Sequence, residues 1–70
     1  MRALTISYKR LWKLLIDRDI KKKDLCLMAE ISHASVAKLG RSENVTTDVL
    51  LKICKALNCD FPDVMEITED

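Results

Sequence analysis

The sequence is poor in the residues that bend a chain sharply. Its 70 residues hold one glycine, Gly40, and one proline, Pro62. A sheet-rich domain strings short strands on tight turns and draws heavily on both residues. That shortage excludes most all-β architectures. Aromatics are equally few: Tyr8, Trp12 and Phe61. The three cysteines, Cys26, Cys54 and Cys59, form no Cys-x-x-Cys pair, and His33 is the only histidine. A zinc site needs four ligands at recognisable spacing, so no metal or cofactor is expected. The cysteines read as reduced thiols used as small core hydrophobes. No apolar run approaches the ~20 residues of a membrane span, and the first residues show no continuous apolar segment of the signal-peptide kind. The expectation is a cytoplasmic protein that does not engage a membrane. Asn44-Val45-Thr46 has the spacing of a glycosylation acceptor, read here as chance. Nor is there a Gly-rich phosphate loop or an assembled Ser/His/Asp or Cys/His set, so catalysis is not expected.

What is present is helix-forming and apolar. Hydrophobic residues make up 49% of the chain, enough for a core and too many for a disordered segment. A chain of this length buries only ~60% of the surface it exposes when unfolded, so its stability is marginal. The net charge of +1 conceals a division. Residues 1–41 carry ten Lys/Arg against four Asp/Glu, and residues 42–70 carry two against seven. One part is therefore +6 and the other −5, which allows a basic face on a nearly neutral protein. An ordinary solvated surface is the competing account.

Periodicity divides the chain into five helices within one domain, residues 1–70. The first is expected from Ser7, as N-cap, to Arg18, with Tyr8, Leu11, Trp12 and Leu15 on one face. Leu14 and Ile16 widen that stripe, so Trp12 or Ile16 has contact area to spare. A second helix spans about Lys22 to Ala29 with Leu25, Met28 and Ala29 inward and Leu27 outward. A third follows a Ser32 cap and ends near Leu39, with Val36 and Leu39 inward and Gly40 as its C-terminal breaker. A fourth starts at Thr46 or Thr47 and ends at Leu57. Its inner face is Leu50, Ile53, Cys54 and Leu57, with Asn58 suited to a left-handed cap. Asp60 would cap a short fifth helix carrying Pro62 in its first turn, and Phe61, Val64 and Met65 would close the core. Leu4-Thr5-Ile6 and Met65-Glu66-Ile67-Thr68 alternate, so the termini have the pattern of two short strands that pair within one chain or between two, with fraying as the competing outcome.

The second and third helices and their three-residue connection occupy about residues 22–39, the spacing of a helix-turn-helix. In that arrangement the N-terminus of the second helix protrudes and fits the DNA major groove. The outward residues suit the geometry. Lys22 and Lys23 would meet phosphates. Ser32 would cap the reading helix, and His33, Ala34 and Ser35 would face base edges. Lys38 and Arg41 would bind phosphate or guanine.

These residues also carry a family resemblance. Asp24-Leu25-Cys26, Ile31-Ser32, Ser35-Val36-Ala37-Lys38-Leu39, the loop from Gly40 to Asn44, and Leu50-Leu51-Lys52-Ile53-Cys54-Lys55-Ala56-Leu57 stand in the order of a lambda-repressor-like, Cro/Xre-type helix-turn-helix. The likeness covers about Leu11 to Met65, and the stretch TTDVLLKICKALNCDFPDVMEI resembles a subgroup of short bacterial regulators. It implies an all-α, five-helix domain that binds double-stranded DNA as a homodimer and regulates transcription. Three positions depart from the pattern. Lys21 replaces a Ser or Thr cap, Lys22 replaces a frequent Gln, and Glu30 replaces the glycine of the turn. The reading helix also lacks Arg, Gln and Asn, the strongest base readers. The rival expectation is a protein-interaction module, or an antitoxin-like partner binder, built on the same core.

Overall fold

A computed structural model describes residues 3–69. Strand β1 (Leu4–Ser7) leads into α1 (Lys9–Asp17), α2 (Lys22–Ala29), α3 (His33–Gly40) and α4 (Thr47–Leu57). A single 3-10 turn (Phe61–Asp63) and strand β2 (Glu66–Glu69) complete it. Among the described residues there are thus four α-helices and a two-stranded sheet, not five helices. The expected fifth helix is that 3-10 turn. Asp60 does cap it, accepting from the Phe61 N–H at 2.8 Å, and Asp63 accepts from the Asp60 N–H at 2.9 Å. The chain then extends into β2, which leaves no room for a second turn.

The termini pair antiparallel, Leu4 opposite Glu69 and Ile6 opposite Ile67. That pairing moves the start of α1. Ser7 closes β1 and Tyr8 takes the N-cap position, although the Ser7 hydroxyl still accepts from the Lys9 N–H at 3.3 Å.

The core is built by leucines at helical spacing. Leu11 and Leu15 from α1, Leu25 and Ala29 from α2, and Leu39 from α3 meet Leu50, Ile53, Cys54 and Leu57 from α4. Tyr8 and Val64 join them, while Phe61 and Met65 pack at the margin. Each fully buried Leu contributes roughly 1.5–3 kcal/mol from its removal from water. Met28, expected inward, is 47% exposed. The buried face of α2 is Leu25, Cys26 and Ala29, which centres the apolar stripe on the Cys26 side and leaves Met28 beyond its other margin.

The lack of glycine is felt where helices end. Asp19, Glu30, Ser42 and Asn58 all adopt left-handed backbone, with φ of 55, 54, 56 and 52°. Asn58 ends α4 as expected. Gly40, expected to break α3, is instead its last helical residue with ordinary φ, and Ser42 makes the left-handed step two residues later. Arg41 and Ser42 N–H groups reach back to the Ala37 and Leu39 carbonyls at 3.1 Å. The final turn is thereby closed without glycine.

Candidate nucleic-acid interface

Helix α2 begins loosely. Lys21 has no oxygen to offer the first N–H groups, so only the reciprocal half of a cap forms. The Asp24 carboxylate accepts from the Lys21 N–H at 3.2 Å. The helix is held instead by its inner face, where Leu25, Cys26 and Ala29 are buried. Its outer face presents Lys22 and Lys23 to solvent. The Lys22 ammonium sits 4.6 Å from the centroid of the Trp12 ring on α1. Such a cation–π contact narrows where that charge resides without hiding it.

The connection Glu30-Ile31-Ser32 makes the turn. Left-handed Glu30 and extended Ser32 redirect the chain, and the Ile31 N–H returns to the Cys26 carbonyl at 3.2 Å. Ile31 packs against the core. Helix α3 then starts firmly, because the Ser32 hydroxyl accepts from the Ser35 N–H at 3.1 Å. Val36 and Leu39 bury its inner side.

The predicted contact residues differ in freedom. Ala34 and Lys38 are exposed on α3. His33 is exposed too, and its Nδ1 lies 3.5 Å from the Cys26 sulfur, which leaves Nε2 as the ring nitrogen open to a ligand. Ser35 is half-buried, with its hydroxyl 3.1 Å from that of Ser32. It is therefore partly committed to the cap. Arg41 is exposed and pairs through Nε with the Glu43 carboxylate. A phosphate would have to compete with that carboxylate. Sequence reasoning missed Asn44 and Thr46. Both line an open groove of about 290 Å³ with Ser35 and Lys38. The Asn in the loop after α3 was visible as part of the family pattern, but its closeness to Ser35 and Lys38 depends on how α4 packs.

Chemically the region offers cations, hydroxyls, an imidazole and one exposed methyl. Among the described residues no group of three or more His, Cys, Asp or Glu is placed to hold a metal ion, and no helix is long and apolar enough to cross a membrane. The perturbed titratable groups lie elsewhere. Burial and the adjacent Cys59 thiol push Cys54 up to about 11, and burial raises Cys59 and Tyr8.

A family model of the Cro/C1-type helix-turn-helix DNA-binding domain matches residues 10–70. The chain belongs to that family. A crystal structure of the transcriptional regulator VanUg superimposes with a TM-score of 0.90 at 51% identity, covering 96% of this chain and 89% of that one. No curated protein sequence matches the chain. The turn between α2 and α3 is closed by left-handed Glu30, without a glycine.

Proposed function

We propose that the protein is a small, non-catalytic transcriptional regulator that binds duplex DNA as a homodimer in the cytoplasm. Helix α3 enters the major groove by its N-terminal end. Lys22, Lys23, Lys38 and Arg41 contact phosphates, Ser32 fixes the start of the helix, and His33, Ala34 and Ser35 meet base edges. The observation that carries this reading is the Ser32-capped start of α3, where His33, Ala34 and Lys38 stand open to solvent. Membership of a DNA-binding family and likeness to a transcriptional regulator support it.

The side-chain inventory sets the balance of the binding energy. Four cations on phosphate give affinity that depends steeply on salt and little on sequence. Small side chains and one histidine give shallow base discrimination. A single module of this size buries little surface on DNA, so pairing two copies on half-sites ~10 bp apart raises the affinity.

Titration with random duplex DNA at increasing salt tests the reading. Binding should weaken linearly in logarithmic terms, with a slope set by the number of phosphates neutralised. Replacing Lys22, Lys38 and Arg41 together by alanine should flatten that slope. Absence of binding at low salt for wild type and triple variant alike would refute the proposal and favour a protein-binding module on the same core.

A further inference from the structure

The β1–β2 ribbon presents its apolar residues to solvent. Alternation along the paired strands puts Leu4, Ile6, Ile67 and Glu69 on one face and Thr5, Ser7, Glu66 and Thr68 on the other. On the second face Thr5 is exposed, and Glu66 and Thr68 are half-buried. Ser7 is buried, and the Thr5 and Thr68 hydroxyls bond across the strands at 2.8 Å. On the first face Leu4, Ile6 and Ile67 are 64, 40 and 71% exposed. Ile6 and Ile67 are direct cross-strand partners and Leu4 is two residues from Ile6, so the three form one continuous patch. An open groove of about 360 Å³ adjoins it, walled by Phe61, Pro62 and Met65 as well as by the two isoleucines. At its rim Arg10 pairs with Glu66 at 3.1 Å.

We propose that this face binds a second copy of the chain and forms the homodimer interface. The proposal rests on the reading of the protein as a DNA-binding dimer, and it names the surface that makes the dimer. Three observations favour a second copy as the occupant. A two-fold contact needs a surface complementary to itself, and here projecting Leu4 and Ile67 lie beside an apolar groove of the same chain. The rim carries both charge signs, so rotation of one copy onto the other can set Arg10 against Glu66. Finally, none of the groove residues belongs to α2 or α3, so pairing here leaves both reading helices free.

The exposed side chains and groove walls offer on the order of a few hundred Å² per copy, in the range of functional apolar patches and below a standard interface. Self-association should therefore be weak without DNA. Ile16, 77% exposed on α1, lies outside the groove and supplies a control.

Sedimentation equilibrium of the full chain over a wide concentration range decides the matter. Wild type should show a monomer–dimer equilibrium. Ile67→Glu should raise the dissociation constant at least about tenfold, as expected for removal of a central apolar anchor. Leu4→Lys, which faces Glu69 across the ribbon, should act in the same direction. Both variants should keep the wild-type far-ultraviolet circular dichroism, and Ile16→Glu should dimerise as wild type does. A wild type that stays monomeric at every concentration would overturn the proposal. So would folded Ile67→Glu and Leu4→Lys variants that dimerise normally. A wild type that dimerises yet fails to bind duplex DNA would refute the DNA reading and uphold the interface. DNA binding unchanged in folded, monomeric Ile67→Glu would uphold the phosphate-contacting face and show that pairing adds nothing to it.

Discussion

Glu30→Gly is the sharpest perturbation the fold allows. Glu30 follows the last residue of α2 with φ 54° and ψ 45°, in the left-handed region. An L-residue there suffers a clash between its Cβ and the next carbonyl, at a cost of roughly 1–2 kcal/mol. Removing the Cβ removes that cost. Glycine also widens the unfolded ensemble, which opposes folding by about 0.4–1 kcal/mol. The net gain is then roughly 0–1.6 kcal/mol, with a midpoint of about 0.8 kcal/mol. Among the described residues the Glu30 side chain has no hydrogen bond or ion pair to lose. For a domain of this size 1 kcal/mol moves the melting temperature by about 4–8 °C, so the midpoint gain should raise it by roughly 3–6 °C. Calorimetry and urea unfolding measure it, and the urea slope should stay unchanged. Glu30→Ala supplies the control. It keeps the Cβ, so it should lie within about 0.5 kcal/mol of wild type. A lower melting temperature for Glu30→Gly would refute the strain argument. A large loss in Glu30→Ala would mean that the carboxylate holds the turn.

The glycine that is present offers the complementary test. Gly40 ends α3 with ordinary φ, and a Cβ built there meets nothing within 4 Å. Gly40→Ala should stabilise by about 0.5 kcal/mol, through lower unfolded-state entropy and better helix propensity, and a fall in melting temperature would contradict that. Alkali should act through the core thiol. Cys54 holds its proton up to about 11 when folded, against an ordinary value of 9.0. The unfolded chain therefore loses that proton first as pH rises, and the stability present below pH 9 declines towards pH 11. Chemical unfolding across that interval should show the decline, and Cys54→Ala should reduce it; an identical decline in the variant would assign the effect to other groups.

The four helices were legible because each carries a repeated apolar face and most carry a local start or stop signal. Ser32 and Thr46 accept from the third residue beyond them, as their positions suggested. The left-handed Glu30 was legible only through the resemblance, which puts a glycine at that turn. The start of α1 was not. Ser7 is a sound cap by local criteria, but its pairing with Glu66 draws it into a strand. Met28 misled because periodicity over eight residues fits more than one face, and the position of α4 selects Leu25 and Ala29. Partners that qualify the candidate interface were also hidden. Trp12 beneath Lys22 and the Cys26–His33 approach join residues on different helices.

By itself, then, the sequence determined the four α-helices and their family. Amphipathic spacing and capping are local, and the energies behind them act within one or two turns. Tertiary structure decided which polar residues remain free on α3 and which apolar residues remain uncovered. It turned Ser35 towards its cap, set Asn44 beside Lys38, and left Leu4, Ile6 and Ile67 facing outward. Those outcomes depend on packing and register between segments far apart in the chain, which no local pattern encodes.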